Sequence, residues 1–247
     1  MKLLGYNITK QLPRLPVVKK TIINTINPHS YCVAKTDDDF KYALEYSDFL
    51  LPDGIGIVWA AKVLRAEKIK KIAGYDAFLY LMEFLEKNSA SCFFLGASET
   101  TLRLIEEKIK LEYPSVKVDG YSPPFKEKFS AEDSHNMCLK VNEKKPYVLF
   151  VGMTAPKQEK WVQEQHNNLD TSIICSIGAV FDFYADTVKR PSKFWIKLGL
   201  EWLPRFLKEP KRLAKRNLIS TPKFIADVLS QKYLKNKNHK QQIYTDL

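Results

Sequence analysis

Asp53 is the residue of this sequence best placed to act as a base. It follows the apolar run FLLP at 49–52 and precedes Gly54 and Gly56. A carboxylate at a strand end can take a proton from a hydroxyl or hold a ribose, and Gly54 lets backbone come close to a ligand. The position equally suits a helix N-cap, a role Asp often fills, and the local pattern alone favours the cap. A second stretch, GMTAPKQEKW at 152–161, runs from a strand end into a helix start, with Pro156 suited to the first turn. Backbone N–H groups at such a start can meet phosphate or uracil, and Gln158 can hydrogen-bond a base or sugar. An ordinary strand–loop–helix joint has the same pattern. A third stretch, GAVFD at 178–182, puts small residues after a strand, where backbone can approach a nucleotide.

Other chemistries lack their signatures. Neither GxGxxG nor GxxxxGK[ST] occurs, which argues against a dehydrogenase. Asp37, Asp38 and Asp39 read as an acidic first helical turn favoured by the helix dipole rather than as metal ligands. His29, His135, His166 and His239 have no ligand spacing, and Cys32, Cys92, Cys138 and Cys175 form no CxxC or zinc pattern. No metal and no cofactor are expected, and scattered free thiols suit a reducing compartment.

The elements that must position these residues follow from hydrophobic pattern. Short apolar runs at 21–27, 49–51, 92–95, 116–118, 147–151 and 173–177 are expected strands. Helical spacing fills the gaps at 76–87, 98–111, 130–142 and 156–166. Throughout-apolar strands alternating with helices predict an α/β, Rossmann-like, mostly parallel sheet flanked by helices. Ligands gather at the carboxyl ends of such strands, which brings Thr25–Asn27, 52–54, 96–98, 152–154 and 178–179 into view.

Charge divides the chain. Residues 1–186 hold 24 Lys/Arg and 24 Asp/Glu, whereas 187–247 hold 15 and 4, so the net +11 lies in the last quarter. We therefore expect an α/β catalytic domain over 1–190 and a basic, amphipathic, helical appendage over 191–247. The appendage interleaves Trp195, Trp202 and Phe206 with cations, a composition that attracts phosphates of nucleic acid, anionic lipid or a diphosphate substrate. No run approaches 18 apolar residues, and the amino terminus lacks the apolar stretch of a signal peptide, so membrane contact is expected to be peripheral.

With these residues in place, the chain resembles the WecG/TagA/CpsF family, glycosyltransferase family 26, from about Ile22 to about Leu218. The matching stretches are Thr25-Ile26-Asn27, LPDGIGIVWAAK at 51–62, AGYD at 73–76, FFLG at 93–96, FVGMTAPKQEKW at 150–161, IGAVFDFYA at 177–185 and GLEWLPRFLKEPKR at 199–212. The resemblance implies an inverting, metal-independent transfer of N-acetylmannosamine, glucose or a similar sugar. The donor is a UDP-sugar and the acceptor a sugar linked by diphosphate to a polyprenol, in cell-surface polysaccharide or teichoic acid synthesis. It implies a cytoplasmic enzyme, peripheral at the inner face of the membrane, touching anionic lipid through its carboxyl-terminal segment and open to homo-oligomer formation. Carried over by position, Asp53 matches the catalytic base, and Thr25 and Asn27 match pocket residues. Gln158 matches the active-site glutamine, Gly152 lies in the same substrate-binding motif, and Arg205 and Arg212 match cations of the appendage. Lys215 or Arg216 supplies a further cation. Lys71 stands where the family has Arg, which keeps the charge but loses the bidentate fork. Arg190-Pro191-Ser192 replaces R-A-P, and Asp186 replaces Gly. The rival reading is a basic nucleic-acid-binding protein with a nucleotide-binding-like body.

Overall fold

The computed structural model describes residues 1–188 and 214–245, together with 195, 203, 206 and 207; side chains at 215–217, 236 and 238–245 are outside the description. A short antiparallel ribbon, β1 (Lys2–Leu3) and β2 (Tyr6–Asn7), opens the chain. Six parallel strands follow: β3 (Thr21–Ile26), β4 (Phe49–Pro52), β5 (Ser91–Gly96), β6 (Lys117–Tyr121), β7 (Val148–Gly152) and β8 (Ile173–Ser176). Their order across the sheet is β4-β3-β8-β7-β5-β6. This is the expected α/β architecture, and each strand falls on one of the apolar runs.

Helices cover both faces. Helices α1 (Pro28–Ala34) and α2 (Asp38–Glu45) join β3 to β4. The next pair, α3 (Ile55–Arg65) and α4 (Gly74–Lys87), leads to β5, and α5 (Glu99–Glu112) leads to β6. Then α6 (Ala131–Lys144) and α7 (Lys157–Gln165) precede β7 and β8, and α8 (Val180–Tyr184) follows the last strand. A π-helical segment, Lys215–Ser220, leads into α9 (Thr221–Thr245). The starts obey local chemistry. Ser98 and Ser130 cap α5 and α6 by accepting from the Thr101 and Asp133 amides, and the Asp133 carboxylate accepts in turn from the Ser130 amide. Asp37 caps α2 in the same way, with Asp38 and Asp39 in its first turn. The Asp triplet is therefore a helix start.

Alternation along the strands sorts side chains into two layers. Ile23, Phe94, Phe150 and Cys175 face α4, α5 and α8, whereas Ile22, Leu95, Leu149, Val151 and Ile174 face α6 and α7. The first layer is aromatic: Phe94 lies 5.1 Å from both Phe150 and Phe181, and Phe78 lies 4.7 Å from Tyr184, centroid to centroid. A third cluster wraps the β4 edge, where Leu50, Ile57 and Tyr31 bury Phe224 and Val228 of α9. The start of the carboxyl-terminal helix is thus packed on the α/β body.

Two residues singled out by sequence have structural explanations here. Asp186 adopts φ 56°, the left-handed conformation that favours the Gly of the resembled family, and its carboxylate pairs with Lys108 at 2.6 Å. Gly152 was expected among substrate-binding residues; a Cβ there would lie 2.4 Å from the Phe181 ring. The need for glycine at this position is set by aromatic packing. Gly152→Ala should accordingly lower stability by about 1–3 kcal/mol, the ordinary cost of overpacking, read as a shifted urea midpoint with unchanged slope.

Candidate active site

β3 and β4 end side by side. Their register pairs Thr25 with Leu51 and Ile26 with Pro52, and the Asp53 amide donates to the Ile26 carbonyl at 2.9 Å. Asn27 and Asp53 are consequently the next residues on two adjacent strands, both partly buried, as is Thr25. The chain leaves β3 into the α1–α2 layer, whereas β8 leads to α8 in the aromatic layer. Neighbouring strands with departures to opposite faces leave a crevice at their carboxyl ends, the usual ligand position in open α/β sheets.

Each predicted residue can now be placed. The N-cap of α3 is Gly54 at φ 87°, so the cap role that local pattern favoured for Asp53 does not occur. Gly54 is needed there because a side chain strains this backbone, and the turn sets Asp53 at the strand end, ahead of the helix. Asn27 has a structural duty: its Oδ1 accepts from the His29 and Ser30 amides, each at 3.0 Å, and so caps α1. Lys71 is partly buried, and the following amide, Ile72, donates to the Pro52 carbonyl at 2.9 Å, which holds this segment beside Asp53. Arg205 and Arg212 lie outside the described residues. Arg216 belongs to the π-helical segment, and its side chain is outside the description.

The PKQEKW stretch is held by bonds within the protein. Gln158 is buried, its Oε1 accepting from the Met153 amide at 3.2 Å and its Nε2 donating to Glu159 Oε1 at 2.8 Å. Both ends of the amide are engaged within the protein, which makes Gln158 an internal clamp on the loop after β7. The neighbours follow suit. Lys157 donates to the Lys126 carbonyl at 2.7 Å and lies over the Phe129 ring, and burial lowers its pKa. Lys160 bridges to Asp37 at 3.0 Å, tying α7 to the start of α2, and Trp161 donates to Ser134 at 3.3 Å. The clamp still sits at the crevice: a Cβ on Gly178, after β8, would lie 3.5 Å from Gln158 Oε1.

Sequence reasoning missed the grip of the last helix on this region. His29 Nδ1 lies 2.9 Å from Ser220 Oγ, Cys32 Sγ donates to the Ser220 carbonyl at 3.2 Å, and Lys35 pairs with Asp227 at 2.7 Å. A Cβ on Gly56 would be 2.5 Å from Pro28 Cγ and 3.6 Å from the Phe224 ring. Phe224 therefore backs the first turns of α1 and α3, which follow Asn27 and Asp53. The signal available in the sequence was the spacing of Phe224 and Val228 within FIADVL, just after Pro222. A shallow polar hollow lined by Ser91, Lys117, Lys145, Tyr147 and Asp170 lies at the amino ends of the strands, opposite the crevice.

The chain is similar to known proteins along most of its length. The description "Glycosyl transferase WecG/TagA/CpsF family" matches residues 7–238. Similar curated proteins carry the name N-acetylglucosaminyldiphosphoundecaprenol N-acetyl-beta-D-mannosaminyltransferase. That of Bacillus subtilis (strain 168) is 30% identical, covering 90% of this chain and 87% of the relative. That of Bacillus spizizenii is 29% identical over 90% and 83%, and that of Staphylococcus aureus (strain MW2) is 25% identical over 85% and 80%.

Asn27 offers a test that separates its two duties. Asn27→Asp keeps the capping oxygen and should leave stability within about 0.5 kcal/mol, whereas Asn27→Ala should cost about 1 kcal/mol. A donor contact through Nδ2 predicts that the Asp variant loses turnover even so; both are read from urea melts beside initial rates. The family match spans the strand ends, the clamp loop and the basic segment together, and the chain belongs to the WecG/TagA/CpsF family of glycosyl transferases.

Proposed function

We propose that this glycosyltransferase moves N-acetylmannosamine or a closely related sugar from its UDP conjugate to N-acetylglucosamine carried on a polyprenyl diphosphate, with inversion and without a metal. The observation that carries the reading is the juxtaposition of Asp53 with Thr25 and Asn27 at the carboxyl edge of the sheet, in a chain that matches the family over 7–238. The names of the relatives supply donor and acceptor class. Neither the family nor those names support the nucleic-acid-binding alternative.

In the proposed reaction the acceptor hydroxyl attacks the anomeric carbon while Asp53 takes its proton. The bond from that carbon to the UDP oxygen breaks, and UDP leaves with the electron pair. Thr25, Asn27 and backbone of the 152–156 and 177–179 loops align the partners. Lys71, Arg205, Arg212 and either Lys215 or Arg216 meet the charge developing on the diphosphate, which fixed cations and amides stabilise most effectively in a water-poor cleft. Gln158 acts by holding the loop. Asp53→Asn should reduce kcat by about 10²–10⁴-fold with its melting temperature unchanged, the range expected for a lost general base. Near-normal turnover would remove Asp53 from that role.

The acceptor is a lipid, and the reading places the enzyme at an anionic membrane surface. Among the described residues no helix is long and apolar enough to cross a membrane. Supporting a surface role, α9 buries Phe224 and Val228 while leaving Ile225, Leu229, Tyr233 and Leu234 exposed, with Lys223, Lys232 and Lys235 on the same helix. Apolar side chains flanked by cations suit a headgroup layer, each cation adding about 1 kcal/mol near an anionic surface. Ile225→Glu with Leu229→Glu should reduce sedimentation with phosphatidylglycerol vesicles at least tenfold, leaving the melting temperature within a few degrees. Unchanged sedimentation would place lipid contact elsewhere.

A further inference from the structure

We propose that Glu159 is a positioning residue of the site, acting through Gln158 to fix the loop between β7 and α7. This rests on the placement of the site at the carboxyl edge of the sheet.

Glu159 is 3% exposed and lies in the first turn of α7. One carboxyl oxygen accepts from Gln158 Nε2, and Gln158 Oε1 in turn accepts from the Met153 amide, so the chain of bonds runs from Glu159 to the residue after β7. The other oxygen, Oε2, has no partner. Two further buried side-chain atoms among the described residues share that condition, Asn24 Oδ1 and Ser176 Oγ. Both belong to one place in the fold. The β3–β8 register pairs Ile23 with Cys175 and so brings Asn24 beside Ser176, on the face that carries Ile22 and Ile174 toward α6 and α7. Glu159, Val162 and His166 recur at helical spacing, and the His166 ring packs 5.1 Å from Tyr46 at the end of α2. That stripe turns Glu159 toward α2, β3 and β8. Asn24 Nδ2 donates to Ser47, directly after Tyr46. A polar seam thus lies between the sheet and two helices, with unmet bonding capacity at three positions.

The seam decides which protonation state suits the fold. Burial raises the Glu159 carboxyl from 4.5 to about 7, partly offset by Gln158 and by backbone. Among the described residues no charge relieves it. Among them, Lys160 beside it on α7 is paired with Asp37 and Asp39 of α2, and Lys157 is turned to the Lys126 carbonyl. Lys20 donates to the His166 and Leu169 carbonyls, Asp48 accepts from the Ile22 amide and pairs with Lys19, and Tyr46, His166 and Cys138 of α6 are further titratable groups nearby. A neutral carboxyl keeps its acceptor for Gln158 and adds an O–H donor for the seam, whereas the carboxylate offers only acceptors. Because the folded value lies above the unfolded one, the native state binds the extra proton between about pH 4.5 and 7. Stability from this group is therefore full below that window and is lost as pH rises through it.

The experiment compares wild type, Glu159→Gln and Glu159→Leu in the full chain, reading Met153 amide protection by hydrogen exchange and KM for the UDP-sugar between pH 5.5 and 8.5. We expect wild-type protection to fall at least fivefold as pH rises through 7. Glu159→Gln, which retains the acceptor and cannot ionise, should hold its protection across the range. Glu159→Leu should lose protection at every pH and raise KM at least tenfold more than it lowers kcat. Equal pH dependence in wild type and Glu159→Gln overturns the proposal, and that comparison stands even should the Leu variant not fold. Unchanged Met153 protection in a folded Leu variant overturns it as well. Absence of transfer by wild type, with protection behaving as described, retires the transferase reading and leaves the positioning role standing.

Discussion

A single backbone hydrogen bond, from the Asp53 amide to the Ile26 carbonyl, carries the β3–β4 ladder one step past the last paired strand residues. That step sets the candidate base beside the Thr25–Asn27 segment. The arrangement is held from outside as well. Gly54 turns the chain with a positive φ, Gly56 lets α3 start against Pro28, and Phe224 closes the back of both helices. A rotation of either helix start would separate a carboxylate from the groups that align its substrate, and positioning errors of about 1 Å can cost 10²-fold in rate. Glycine at 54 and 56 and an aromatic anchor from the last helix are thus requirements of the same geometry.

The same logic organises the other half of the crevice. The loop after β7 has no regular structure of its own, so its amides are fixed by side chains: Gln158 on Met153, with Glu159 behind it. Outside this clamp, Lys160 and Trp161 fasten α7 to α2 and α6. Within this motif Lys157 and Gln158 hold backbone while Lys160 and Trp161 tie side chains of neighbouring helices, and backbone N–H groups held in this way are the natural partners of a diphosphate.

Much of this fold could be read from sequence because parallel strands buried on both faces are apolar throughout, and because Ser98, Ser130 and Asp37 mark helix starts by their own hydrogen bonds. Asp53, Thr25 and Asn27 were legible as strand-end residues for the same reason. Three things were not. Whether Asp53 or Gly54 caps α3 depends on a backbone angle that composition does not reveal. The inward turn of Gln158 depends on the neighbouring carboxyl being buried, and no pattern within PKQE separates a clamp from a contact. The anchoring of α9 depends on Phe224 and Val228 meeting α1 and α3 across nearly the whole chain length, a long-range contact invisible to local periodicity. The requirement for glycine at 152 comes from Phe181, some thirty residues later, and local sequence does not reveal it.

The most direct test of the central claim is hydrogen–deuterium exchange of the full chain with and without UDP. The account predicts that UDP slows exchange in 25–30, 53–57, 152–158 and 177–182, the four segments that border the crevice at the carboxyl edge. Protection confined to the opposite edge, around Lys117, Lys145 and Asp170, would contradict it.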